Sequence, residues 1–376
     1  MNSSLTYRRL AGSVAVMATT TAVGLGVFAT PADAAGPTAR LRNGTVTVTG
    51  TAARDVVDIS MNHDRLTVDL GFDGTTDARF SMSRVQRLSV QLGGDNDGTS
   101  VTGTGVGDVP ITISGGGGND GLGVVGFEDA LLAADAPVTI VGNDGNDNLS
   151  ASVPGSAPVS IDAGVGDDVV FGGDGSIGPE NIALGDGSDK FVSTFDVFSS
   201  PFRDRSDVAD AGAGQDTLEL RGTFESETVN LSAAAGRLLV AHNQGHIDAV
   251  GFEDVIWFGF GGNDEGGSGD TVIVNDLSGT GVVNFTPDFT DPLDGTGPNN
   301  SADVLAVLGT AGVDHITVSG SGANITVAGL TPTVTPVNLR TQDPLLPDAL
   351  QINTLAGRDT VDSSGLQPGL VQLQVL

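Results

Sequence analysis

From Thr45 onward the chain alternates. In TVTVT (45–49), ITISG (111–115), VTIVG (138–142) and VSIDA (159–163), apolar residues fall at every second place. A period of two puts those side chains on one face of a strand. Each run is short and ends at a cluster of Gly, Asp and Asn, the residues that suit turns. Beyond the first 34 residues no long stretch combines helical spacing with caps. The pattern predicts an all-β chain.

The turns recur in register. PITISGGGGNDGL starts at Pro110, PVTIVGNDGNDNL at Pro137, PVSIDAGVGDDVV at Pro158, PENIALGDGSDKF at Pro179 and SDVADAGAGQDTL at Ser206, in steps of 27, 21, 21 and 27 residues. Ten residues into each copy stands an aspartate: Asp120, Asp147, Asp168, Asp189 and Asp216. Two residues earlier is always a glycine: Gly118, Gly145, Gly166, Gly187 and Gly214. Two earlier again stand Gly116, Asn143, Gly164, Gly185 and Gly212. Two residues after the aspartate the position is apolar: Leu122, Leu149, Val170, Phe191 and Leu218.

A longer unit begins at Gly50 (GTAARDVVDIS), Gly222 (GTFESETVNLS) and Gly309 (GTAGVDHITVS). Its acid (Asp55, Glu227, Asp314) precedes one apolar pair at +2 and +4 and another at +11 and +13. It then runs on to a weaker Gly/Asp turn ending at Asp97, Asp264 or Asp359. These units read as further strand–turn rungs. Strands returning every 21 to 27 residues suit stacked coils that bury their apolar faces only against their neighbours. The expected fold is all-β, a parallel β-solenoid (β-helix or β-roll-like) with Gly/Asp-rich turns. It would run over 35–275, most clearly over 110–219. A loop or boundary is expected at 276–302, C-terminal rungs at 303–376, and an excursion at the four prolines of 331–348.

Composition narrows the function. Forty-seven acids, all but seven of them Asp, face 16 bases, for a net charge of −31. That balance disfavours nucleic acid and anionic membranes as partners. With no cysteine, thiolate metal sites are excluded. Arg8 and Arg9 precede an apolar run and Ala32-Asp33-Ala34, which reads as a secretory signal peptide over 1–34, of the ordinary rather than the twin-arginine kind. The mature chain, with no further apolar span, would be secreted and extracellular.

A G-x-G-x-D turn has a chemical logic. Glycine permits positive φ and leaves carbonyl oxygens open, and aspartate adds a short, hard oxygen ligand. Calcium takes six to eight such oxygens, more than one turn supplies but within reach of two stacked turns. Carboxylates repeated on adjacent coils would otherwise repel one another. On these residues GGGGNDGLG resembles the hemolysin-type calcium-binding repeat, the RTX nonapeptide G-G-x-G-x-D-x-U-x. The resemblance implies a calcium-loaded β-roll. Asp120, Asp147, Asp168, Asp189 and Asp216 would be side-chain ligands. Gly116, Gly118, Gly145, Gly164, Gly166, Gly185, Gly187, Gly212 and Gly214 would supply carbonyls and turn geometry. The family's turns run back to back, whereas these stand singly, so one line of ions at most is expected.

Other chemistry is thinner. His242 and His246 have an H-x-x-x-H spacing but lack a third ligand in the sequence. Asp167-Asp168 could pair as glycosidase acid and base, yet such pairs are common in so Asp-rich a chain. A β-helix enzyme on acidic polysaccharides would need a basic groove. The expectation is a non-enzymatic surface or matrix protein with structural calcium, its partners calcium ions and cell-surface or matrix components. A metal-independent solenoid scaffold or adhesin is the alternative.

Overall fold

The computed structural model describes residues 36–127, 136–153, 155–172, 178–194, 205–223, 226–242, 245–259, 268–290, 301–339 and 347–376. The expected signal peptide and the weak turn at Asp264 lie outside them. The described chain is all-β, with one 3-10 turn at Met82–Arg84, and its strands form two fifteen-stranded sheets.

The first strands make one end of the stack. β1 (Thr38–Arg42) and β2 (Thr45–Thr49) form a hairpin in sheet 1. Its turn, Asn43-Gly44, has φ of 48° and 80°, the Asn-Gly geometry that matches strand twist. β3 (Val56–Met61), β4 (Arg65–Leu70) and β5 (Ala78–Ser81) form an antiparallel meander in sheet 2.

Next the chain strictly alternates between the sheets. β6 (Arg87–Gly94), β8 (Ile111–Gly117), β10 (Val138–Asp144), β12 (Val159–Val165), β14 (Glu180–Gly187) and β16 (Arg205–Gly214) stack in parallel in sheet 1. β7 (Gly98–Gly103), β9 (Gly121–Gly126), β11 (Asn148–Ser152), β13 (Val169–Gly172), β15 (Lys190–Thr194) and β17 (Thr217–Arg221) do so in sheet 2. Each sheet-1 strand and the sheet-2 strand after it make one layer. The Gly/Asp turn is the corner between them. In-register pairing sets Leu122, Leu149, Val170, Phe191 and Leu218 in a single inner column, each at most 2% exposed. Each such burial is worth about 1.5–3 kcal/mol. Val90, Ile113, Ile140, Ile161 and Ile182 form the facing column in sheet 1.

A second meander follows in sheet 1: β18 (Thr228–Ala234), β19 (Arg237–His242) and β20 (Gly245–Val250). β21 (Asp254–Phe258), β22 (Ser268–Val274), β23 (Asn284–Asp288) and β24 (Ala302–Leu308) resume the parallel stacking. β25 (His315–Ser321), β26 (Asn324–Ala328) and β27 (Thr333–Val334) make a third meander, in sheet 2. β28 (Ala349–Asn353), β29 (Thr360–Leu366) and β30 (Gln372–Val375) end the chain. The expected loop at 276–302 contains β23, in which Phe285 is buried, with Leu277, Val282 and Phe289 buried beside it.

The three meanders correct the sequence reading. The units at Gly50, Gly222 and Gly309 are not simple strand–turn rungs. Their two apolar pairs lie on two antiparallel strands of the same sheet: Ile59 faces Val68, Leu231 faces Val240 and Val318 faces Val327. Only two or three residues separate those strands, as at Ala235-Gly236 with φ of 53° and 80°. So short a link turns a strand back on itself and cannot cross to the opposite sheet.

Candidate metal centre

The five predicted aspartates form one column. They head the sheet-2 strands, point inward and are at most 3% exposed. Each carboxylate reaches back one layer. The backbone N–H of Asp120 donates to Oδ1 of Asp147 at 2.7 Å, that of Asp147 to Asp168 at 2.7 Å, that of Asp168 to Asp189 at 2.7 Å and that of Asp189 to Asp216 at 2.8 Å. The column is longer than the five copies. Asp55 donates to Asp97, Asp97 to Asp120, and Asp216 to Oε2 of Glu253. The weak turn at Asp97 is therefore a full member, and Glu253 substitutes for Asp.

The other oxygen of each aspartate from Asp97 to Asp216 is unsatisfied. Oδ2 of Asp97, Asp120, Asp147, Asp168, Asp189 and Asp216 is buried without a hydrogen-bond partner. Burial is the largest influence on these groups, and neighbouring carboxylates add to it. Asp147 is pushed up to about 7, and Asp97, Asp168 and Asp216 to about 6. Asp120 and Asp189 are also raised, chiefly by burial and against the pull of the backbone hydrogen bond. A buried carboxylate with one free oxygen calls for a proton or a cation.

The glycines have a packing role of their own. A Cβ on Gly116, Gly145, Gly164, Gly166, Gly185, Gly187, Gly212 or Gly214 would lie between 1.4 and 2.1 Å from a carbonyl oxygen of the preceding layer, and one on Gly118 would lie 2.4 Å from the Asp95 carbonyl. All but Gly187 also have φ between +91° and +155°. Only glycine meets both demands. Asn143, the one substitution, holds φ of +85°, which asparagine tolerates better than most residues. Its side chain donates to Ser114 Oγ at 3.1 Å and to the Gly142 carbonyl at 2.7 Å.

A second, outer ladder runs beside the first with opposite polarity. The N–H of Asn119 donates to Asn96 Oδ1, Asn146 to Asn119, Asp167 to Asn146 and Ser188 to Asp167, at 2.8–3.1 Å. It assigns Asp167 a structural hydrogen bond and sets it apart from the buried Asp168.

Acids also stand in line elsewhere, some of them (Glu227, Asp314 and Asp359) already marked by the longer unit and others (Glu180, Asp207, Asp270, Asp303 and Asp348) outside the repeat alignment. At the head of the sheet-1 strands, Glu180 donates its N–H to Asp207, Glu227 to Asp270, Asp270 to Asp303 and Asp303 to Asp348. The N–H of Asp314 likewise donates to Asp359 in sheet 2. Asp270 is fully buried and pushed up to about 8 by burial and by Asp303. One signal in the sequence marks all of these acids: each stands two residues before an inward-facing residue at the head of a strand, as Asp270 before Val272 and Asp303 before Leu305.

The oxygen-only donor set suits calcium better than a softer metal. The unpartnered Oδ2 atoms offer one carboxylate ligand per layer. Among the described residues, no three His, Asp or Glu side chains gather around one point to hold an ion. Any shell would draw on side chains of adjacent layers together with backbone oxygens. His242 and His246 fall on neighbouring strands, and Nε2 of His242 lies 3.2 Å from Oε1 of Glu227. No helix among the described residues is long and apolar enough to cross a membrane.

No known protein family matches the chain, and neither the curated proteins nor the solved structures yield a match.

Proposed function

We propose that this chain is a secreted, non-catalytic parallel β-solenoid, a surface or matrix scaffold whose stacked layers are held together by calcium. The observation that carries the reading is the column of buried Oδ2 atoms at Asp120, Asp147, Asp168, Asp189 and Asp216, each without a partner. A cation bound there would offset the repulsion between successive carboxylates. Bound to the stacked form and not to the unfolded chain, it would stabilise the fold by mass action. Asp120 to Asp216 would hold the ions, and the positive-φ glycines would allow the layers to approach closely enough to share them.

One observation favours a metal-independent scaffold. Every Oδ1 already accepts a backbone N–H, so a protonated column would keep its layer-to-layer hydrogen bonds and carry no repelling charge. Calcium titration followed by thermal melting separates the two. The calcium reading expects saturable binding by equilibrium dialysis and a melting temperature that rises with millimolar calcium and falls back in EGTA. A melting curve indifferent to calcium, with no bound ion, would leave the metal-independent scaffold.

A further inference from the structure

Charge is unevenly spread over the outer face of sheet 1. At one end of that sheet Arg40, Arg42 and Arg87 are exposed. Arg42 sits opposite Thr45, and Thr45 opposite Arg87, so the two arginines flank a threonine two strand spacings apart. Farther along the strands of sheet 1 and sheet 2 three cations are engaged. Lys190 and Arg221 pair with Glu219, and Arg237 pairs with Asp248.

Farther along, the same face carries acids: Asp162 and Asp210 flank Ala183. Past the positive-φ corner at Gly164, Asp144 and Asp186 flank Val165, and all four aspartates are exposed. These pairs too lie two strand spacings apart, about 10 Å. Between the arginine rows and the aspartate rows the outward positions are small or uncharged: Ser89, Thr112, Thr139 and Ser160 in one row, Gln91, Ser114 and Val141 in the next. Val165 (53% exposed) and Val208 (39% exposed) lie among the acids.

We propose that the outer face of sheet 1 docks on the same face of a second copy, related by a two-fold axis. The arginine rows of each copy would lie on the aspartate rows of the other. Two observations select this partner. The opposite charges repeat at the same spacing, and they lie on one face, so a single two-fold operation makes both contacts at once and closes the assembly as a dimer.

The test is a charge swap, read by light scattering coupled to size exclusion in 1 mM calcium. Arg42→Glu/Arg87→Glu and Asp162→Arg/Asp210→Arg change exposed residues, and circular dichroism checks that each variant remains folded. The wild-type chain is expected to be a dimer at low salt and a monomer above about 0.5 M NaCl, where screening acts within a few ångströms. Each variant alone is expected to be monomeric, and an equimolar mixture of the two to recover the dimer mass. That recovery requires contact between the swapped charges. A wild-type chain that stays monomeric at low salt and high concentration, or a mixture that stays monomeric, overturns the proposal.

Discussion

The uniform layers and the meanders treat the same acid differently. In the meander units the loop closes on its own carboxylate. The N–H of Thr51 donates to Asp55 Oδ2, that of Thr223 to Glu227 Oε1 at 2.7 Å and that of Thr310 to Asp314 Oδ2 at 2.8 Å. The residue just before each of those threonines is a glycine, and the loop folds back over four residues. In the uniform layers the corresponding residue is bonded into the sheet-1 ladder, Gly116, Asn143, Gly164 and Gly185 with neighbours on both sides and Gly212 with Gly185. Its backbone is engaged there, and the second carboxylate oxygen is left without a partner. Strict stacking thus creates the demand that calcium is proposed to meet, and the self-closing loop removes it at Asp55 and Asp314, while Glu227 keeps Oε2 buried without a partner.

The largest break in this comparison should come from glycine. Gly185→Ala combines φ of +105° with a Cβ 1.9 Å from the Gly164 carbonyl. Strain and overpacking together should cost about 2–5 kcal/mol, seen in chemical denaturation. Gly312→Ala, in a meander loop with only the Thr310 hydroxyl at 3.3 Å, should stay within about 0.5 kcal/mol. Equal losses would mean that stacking is no tighter in the uniform layers.

Next in size is the charge on the column. Asp147→Asn keeps an oxygen for the Asp120 N–H but loses the negative charge. It should abolish most of the calcium-dependent rise in melting temperature, whereas Asp314→Asn should leave that rise intact. If Asp147→Asn melts higher than wild type and responds equally to calcium, the column is a protonated one. Hydrogen exchange sharpens the point: calcium should slow exchange in β8–β17 and leave β3–β5 and β25–β27 little changed.

The pH dependence should run opposite in sign to that of acids whose folded value is lowered. A carboxyl whose folded value is raised binds its proton more tightly in the folded state. The stability it contributes is fully present below the unfolded value near 3.8 and is lost as pH rises through the folded value. For Asp270, pushed up to about 8, the window runs from about pH 4 to 8. Asp270→Asn should flatten the melting temperature across that window. An unchanged slope would show that the buried acids of sheet 1 do not govern it.

Much of this arrangement was legible in the chain. Period-two alternation and turn chemistry act within a few residues, so the all-β class, the apolar column from Leu122 to Leu218 and the common register of the five aspartates could be read directly, while the burial of those aspartates could not. The register of the repeats carried the stacking, because a strand that buries one face admits no one-residue slip. The meanders were hidden because V-x-I-x alternation is identical in a strand that crosses to the other sheet and in one that folds back. The length of the link decides between them.

What the sequence alone determined is therefore the rhythm: which residues face inward, where the chain must turn, and where glycine must stand. Only the tertiary structure decided the chemistry of the column. A carboxylate between two layers finds its backbone donor 21 to 27 residues away, and its second oxygen is stranded by burial. Both are properties of neighbours in space that local pattern cannot encode. The outer face follows the same rule. Arg42 and Arg87 are 45 residues apart in the chain, and the pairing of β1, β2 and β6 alone sets them in one row.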